Sequence, residues 1–291
     1  MKCRMPRLLI LNEKRGTLVL VLSIFLLQFL LQGLCLNASY AQKKESIIEK
    51  QRYIIATWNI GHFSKGQKPY STIDKSNFNT NLFELQKVLG DSIRADIICL
   101  NEFSEVFGTD GNNHKQLTKD MCFNNYVFSN IGPLLGYSCN TIFSNLKIKN
   151  IKKHLFEISK TVQSKMSRAA NYYFLEGDLY LGGEKVILVC AHTTSGAPAL
   201  CQSQISEILN RYRNCERVVM CGDWNTQDFS LFKNSGYTLA NNGSLKTFPD
   251  IDKSYALDNI VVKGLVISDV RMVKTDISDH YPIVCRISLN N

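Results

Sequence analysis

Successive short apolar runs of strand type end on, or open just after, polar and ionisable residues, and this arrangement limits what the chain can fold into. Arg52–Thr57 leads to Asn59, and Ala95–Leu100 leads to Glu102. Lys185–His192 ends on His192, Arg217–Gly222 leads to Asp223 and Asn225, and Asp279 and His280 precede Tyr281–Ile287. One such residue is ordinary turn chemistry. Carboxylate, amide and imidazole groups repeated at successive strand ends are what a site built along the edge of packed sheets requires.

The remaining pattern fixes the fold class. Phe78, Leu82, Leu85 and Leu89 recur at helical spacing, predicting an amphipathic helix over Asn77–Asp91. Ile205, Ile208, Leu209 and Tyr212 predict a second. Further strands are predicted at Tyr126–Ser129, Asn140–Ser144, Arg168–Glu176, Leu257–Val262 and Val266–Val273. Helices interleave with strands early and strands follow one another late. That order predicts a layered α/β sandwich with mixed sheets, not a doubly wound parallel sheet.

Residues 1–41 read as a signal peptide. Lys2, Arg4, Arg7, Lys14 and Arg15 face one acid, Glu13; an uncharged apolar run spans Thr17–Leu36, and Ser39 and Ala41 are small. Basic, apolar and small-residue regions in this order match an export signal. The apolar run is also long enough for an uncleaved anchor. Export to the periplasm, the cell envelope or the extracellular space is therefore expected. Residues 42–51 read as a charged leader, and 52–291, about 240 residues, as one domain.

The chain carries a net charge of +9. A mildly basic body favours anionic substrates without naming nucleic acid. Lys147, Lys149, Lys152 and Lys153 read as a solvated loop or a strand edge. Of the 10 cysteines, Cys99, Cys190, Cys221 and Cys285 fall in apolar runs and read as small buried hydrophobes. No cysteine spacing suits zinc. A disulfide among Cys122, Cys139, Cys201 and Cys215 stays open.

The strings TWN (Thr57–Asn59), LNE (Leu100–Glu102), GDWN (Gly222–Asn225), LDNI (Leu257–Ile260) and SDH (Ser278–His280) resemble, in the same order, the endonuclease/exonuclease/phosphatase superfamily. The resemblance covers Arg52–Ile287 and implies a four-layer sandwich of the deoxyribonuclease I type, two packed mixed β-sheets flanked by helices. It implies a metal-dependent hydrolase of phosphate esters using Mg²⁺, with Mn²⁺ as a substitute. Glu102 would be the main metal ligand, with Asn59 and Asp279 completing the ion's surroundings directly or through water; hard oxygen donors suit Mg²⁺.

His280 and Asp258 correspond to the family's histidine–aspartate pair, and Asp223 and Asn225 to the residues that place the attacking water. Whether His280 or Asp223 is the base stays open, as does the number of metal ions. His192 in CAHTTSG matches a histidine of the deoxyribonuclease and sphingomyelinase branches. Asn140 in CNTIFS and Arg168 correspond to phosphate-binding positions. Asn259 and Trp224 depart from the common pattern, and Thr247–Pro249 reads as loop architecture.

No G-x-S-x-G elbow is present around Ser195, which argues against a covalent route. The expected substrate is a nucleic acid or a phospholipid head group, a phosphomonoester coming third, with no obligate protein partner. Ile131–Tyr137 is the one thin apolar loop that would suit a lipid surface. A non-catalytic binding module would require decay of the motif residues, and none has decayed.

Overall fold

Ile55, Thr57 and Asn59 alternate with Ala56, Trp58 and Ile60, and the two sets enter different environments. In strand β1 (Tyr53–Asn59), Ile55 joins the core between two sheets, while Ala56 and Trp58 pack outward with Ile60 under a helix. A strand buried on both faces reads as this kind of near-continuous apolar run. The computed structural model describes residues 28, 30, 32, 34, 52–61, 82–103, 117–119, 121, 123, 125–128, 139–157, 173–249 and 253–290. Two units separate, Met1–Lys50 and Gln51–Asn291. In the first, Gln28, Leu30, Gln32 and Leu34 are helical and exposed. Among the described residues no helix is long and apolar enough to cross a membrane.

The second unit continues with β2 (Ile97–Phe103), β3 (Asn125–Phe128), β4 (Cys139–Ser144), β5 (Ile148–Leu155), β6 (Tyr173–Leu181) and β7 (Glu184–His192). Then come β8 (Val218–Asp223), β9 (Thr238–Leu239), β10 (Phe248–Pro249), β11 (Ser254–Tyr255), β12 (Asp258–Lys263), β13 (Leu265–Met272) and β14 (Ile283–Leu289). Sheet 1 has the order β13-β14-β1-β2-β4-β3 and sheet 2 the order β5-β6-β7-β8-β12-β9, with β10 and β11 forming a separate hairpin. Each sheet is mixed. Its one parallel pair, β1 with β2 or β7 with β8, is flanked by antiparallel partners.

Helix α1 (residues 82–93) covers sheet 1, burying Leu82, Leu85, Leu89 and Ile93. Its last turns, Val88–Ile93, are π-type, closed by Arg94 N–H on Leu89 O at 2.8 Å. A spacing of four between Leu85, Leu89 and Ile93 exceeds the 3.6-residue period, and the wider turn keeps all three on one face. Helix α2 (Pro198–Arg211) covers sheet 2 with Cys201, Ile205, Ile208 and Leu209, beside the short α3 (Ser230–Asn234). Proline at its start suits the first turn, where no N–H partner exists. Three buried apolar clusters thus separate four layers.

Several predicted boundaries move. The first helix runs to Ile93 instead of stopping at Asp91, and residues 77–81 of its predicted range lie outside the described residues. The strand predicted over Arg168–Glu176 is Tyr173–Leu181, and Arg168 itself lies outside the described residues, as does Ile131–Tyr137. Of the lysine run, Lys149, Lys152 and Lys153 belong to β5, the edge strand of sheet 2, exposed from Lys149 to Lys153, and Lys147 precedes it.

Cys99, Cys190, Cys221 and Cys285 are buried free thiols in the inter-sheet core, and Cys201 and Cys215 are also unpaired. The first three stand two residues before Asn101, His192 and Asp223 on strands β2, β7 and β8. Alternation therefore places them as a layer directly behind those residues.

Candidate active site

The strand pairings already bring the site residues into rows. Asn59 ends β1 in register with Asn101 on β2, and His192 ends β7 in register with Asp223 on β8. Asp258 opens β12 opposite Asp223. Asn59 and Asn101 both hydrogen-bond Asp223 across the sheets, so the two rows face each other at one end of the sandwich.

Glu102 departs from the expectation that it would follow its strand. It lies inside β2 at a break in the pairing register with β4, between Leu100 and Phe103, and its φ is 53°. Simple alternation would send Glu102 outward with Leu100. The bulge returns Phe103 to the outer cluster and frees Glu102 from that face. Its Oε1 stands 3.8 Å from His192 Nε2, and both residues are buried. Asn225, two residues beyond β8, also has positive φ, 46°, and its amide donates to Thr193 O at 2.8 Å.

Asp223 is the hub. Its Oδ2 accepts Asn59 Nδ2 at 2.9 Å and stands 3.5 Å from His192 Nε2 and 3.8 Å from His280 Nε2. Its Oδ1 accepts the Asn225 N–H at 2.9 Å. Burial works against this carboxylate's charge, but His280, His192 and these hydrogen bonds outweigh it and lower its pKa. Gly222, just before it, admits no side chain, because a Cβ there would collide with the Ala191 carbonyl of β7.

His280 is fixed from every side. Its Nδ1 meets Asp258 Oδ2 at 2.8 Å, its carbonyl accepts Trp58 Nε1 at 2.9 Å, and its N–H donates to the Ser278 hydroxyl at 3.1 Å. That hydroxyl donates to Asn59 O at 2.7 Å, and Asp279 Oδ1 lies 3.3 Å from it. Burial disfavours the imidazolium, yet Asp258 and Asp223 more than offset this and raise the His280 pKa to about 9. Asp258 moves upward, driven by complete burial and the nearby Asp223 against the pull of His280.

Three residues outside the predicted set complete the arrangement. Asn101 donates to Asn140 Oδ1 at 2.8 Å and Ala191 O at 3.0 Å, and accepts the Asp223 N–H at 2.9 Å. Thr247 Oγ1 accepts the Leu257 and Asp258 N–H groups, each at 3.1 Å, and Thr247 O accepts the Tyr281 N–H at 2.6 Å. The Phe248 ring lies 4.8 Å from the His280 ring. The Thr247–Pro249 segment, expected to be loop architecture, thus packs against the histidine–aspartate pair. Asn101 lies within the LNE string, beside the glutamate that carries the metal-ligand expectation.

Asn140 sits in sheet 1 with its Nδ2 donating to Tyr173 O at 3.2 Å. The departures from the family pattern find structural partners. Trp224 is buried against Phe232, and Asn259 exchanges hydrogen bonds with the Asn241 backbone at 2.6 and 2.9 Å.

The donor set suits a divalent cation. Glu102, Asp223 and Asp258 are buried carboxylates around two imidazoles, and donor atoms of Asp223, Asp258 and His280 lie within 4.8 Å of one another. The Asp258–His280 pair is neutral wherever its shared proton resides. The excess negative charge therefore rests on Glu102 and Asp223, and hard oxygen donors of this kind favour magnesium, calcium or manganese over softer metals.

A family model described as Endonuclease/Exonuclease/phosphatase family matches residues 56–280. Similar solved structures include an endonuclease/exonuclease/phosphatase from Beutenbergia cavernae, at 14% identity and TM-score 0.64, covering 83% of this chain and 72% of that one. Another, from Bacteroides vulgatus, has 15% identity and TM-score 0.64 over 83% of this chain and 100% of that one. D. rerio TDP2 complexed with single-strand DNA product gives 16% identity and TM-score 0.59, with 81% and 99% covered. At such identities the likeness establishes the fold. No curated protein sequence matched.

Proposed function

The chain belongs to the endonuclease/exonuclease/phosphatase family, a family of metal-dependent phosphate-ester hydrolases, and from that premise we propose that it is an exported, Mg²⁺-dependent phosphodiesterase. The observation that carries this reading is the convergence on Asp223 Oδ2 of Asn59 at 2.9 Å, His192 at 3.5 Å and His280 at 3.8 Å, with Glu102 3.8 Å beyond His192. Export rests on the order of basic, apolar and small residues before Gln42.

Glu102 would hold the cation, with Asn59 and Asp279 completing its surroundings. Bound there, Mg²⁺ would supply charge neutralisation and Lewis acidity toward the phosphate. The rest is done by side chains. Asp258 fixes the His280 ring through Nδ1, leaving Nε2 to face the reacting centre. Asp223 is ionised at neutral pH and fastened by Asn59 and Asn225, which suits it to orient a water. His192, 3.8 Å from Glu102, would meet a phosphate oxygen. A His280 pKa of about 9 means the imidazolium prevails at neutral pH in the metal-free protein. Positive charge bound at Glu102 would lower that value and free Nε2 to accept the proton of an in-line water.

A nucleic-acid phosphodiester is the favoured substrate, since a similar structure, D. rerio TDP2, is complexed with single-strand DNA product. A phospholipid head group is the second reading, because His192 matches the position shared by the deoxyribonuclease and sphingomyelinase branches. The test is hydrolysis of bis(p-nitrophenyl) phosphate, plasmid DNA and sphingomyelin by the protein with Mg²⁺, with EDTA, and as His280→Ala. We expect EDTA to stop turnover and His280→Ala to lower kcat/KM about 10³-fold. Undiminished activity in either case would overturn the mechanism.

A further inference from the structure

Sheet 1 presents a row of asparagines, Asn59, Asn101 and Asn140, on neighbouring strands β1, β2 and β4. Each reaches across to sheet 2: Asn59 to Asp223, Asn101 to Ala191 and Asp223, and Asn140 to Tyr173. The outer two are predicted site residues. The middle one has no assigned role, although it is completely buried and uses both amide N–H bonds and its carbonyl.

We propose that Asn101 is a positioning residue that sets the register between the Glu102 side of the site and the His192/Asp223 side. Its carbonyl holds the backbone N–H of Asp223, and its amide holds the carbonyl of Ala191, which immediately precedes His192. The second amide hydrogen holds Asn140. Glu102 is its covalent neighbour, displaced by the bulge that Asn101 anchors. Glu102 is thus the adjacent residue, Asn140 and Asp223 are each one hydrogen bond from this side chain, and His192 lies one residue beyond the hydrogen-bonded Ala191. Burying a primary amide here is favourable only because every bond is made. A carboxylate of the same shape would turn two donors into acceptors facing two other acceptors.

The inference rests on the proposed hydrolase reading and is tested with Asn101→Asp and the milder Asn101→Ser in the full chain, reading Mn²⁺ binding by electron paramagnetic resonance and turnover of bis(p-nitrophenyl) phosphate. The control is Tyr212→Phe, which removes a 2.7 Å bond to Glu176 on the outer face of sheet 2. We expect kcat to fall about 100-fold and Mn²⁺ to bind about tenfold more weakly in the Asn101 variants, with KM changed less than about threefold. Tyr212→Phe should change none of these. Asn101 variants that behave like Tyr212→Phe at equal loss of thermal stability would overturn the inference. So would failure of both variants to fold at low temperature, which would assign Asn101 to the core alone. A wild-type protein that neither binds Mn²⁺ nor turns over substrate would instead overturn the functional reading.

Discussion

The two sheets are built alike and equipped differently. Each has one parallel pair, closes with antiparallel partners and carries a helix on its outer face. Along the shared edge, sheet 1 presents neutral amides on Asn59, Asn101 and Asn140, while sheet 2 presents His192, Asp223 and Asp258. Glu102, Asp279 and His280 are ionisable groups on the sheet 1 side, and none occupies a regular strand position. Glu102 sits at a bulge, and Asp279 and His280 in the turn before β14. A buried amide can satisfy itself by hydrogen bonding, whereas a buried charge needs a counter-charge. Sheet 1 therefore behaves as the frame and sheet 2 as the titrating half, and the frame's amides determine where the charges stand.

The largest expected effect tests that division directly. Asp223→Asn should reduce kcat/KM about 10³-fold, while Asn59→Ala, which removes a donor to Asp223, the acceptor of the Gly61 N–H and an oxygen beside the proposed cation, should cost about 30-fold; equal losses would break the distinction. Next is Gly222→Ala, which drives a methyl into the Ala191 carbonyl and should cost about 3 kcal/mol in denaturant unfolding, because two paired backbones must separate.

The third effect is on pH and couples the two sides, His280 from the turn before β14 and Asp223 from β8. The folded His280 pKa of about 9 lies above its ordinary value of 6.5, so its contribution to stability is complete below pH 6.5 and lost as pH rises through about 9. Asp223 is shifted the other way, and its contribution disappears as pH falls through its lowered pKa. The metal-free protein should therefore melt at lower temperature at pH 9 than at pH 6.5, and His280→Ala should flatten that slope. Smallest is Tyr212→Phe, which removes the hydroxyl bond to Glu176 beneath His154 and Arg211. It should cost about 1 kcal/mol of stability and leave turnover unchanged.

Much of this arrangement was legible because short motifs record strand ends. Asn59, His192 and Asp223 end their strands as the apolar runs imply, and helical spacing located both covering helices. Glu102 was misplaced by position though not by type, since a bulge leaves no periodic trace in a single strand. Asn101 was hidden because its partners are two backbone groups and an amide on other strands, contacts that no local spacing encodes. The Thr247–Phe248 contact with the histidine pair was hidden for the same reason. Strand β5 was left between a loop and a strand edge, because an exposed edge strand with three lysines among its eight residues lacks the alternation that identifies its neighbours.

The thiols behind the site carry a consequence for how the molecule is made. Cys190 and Cys221 meet when β7 and β8 pair in register, and Cys99, on β2, joins them only when the two sheets close. In a nascent chain they are exposed and free to react with one another or with Cys285. If the chain is exported into an oxidising compartment, as proposed, closure of the sandwich competes with mispairing, and a wrong disulfide would hold the two rows of the candidate site apart. Once closed, the same thiols are inaccessible to oxidant. Maturation would then be a race decided once per molecule, its outcome readable as the fraction of chains whose thiols stay silent to alkylation until they unfold.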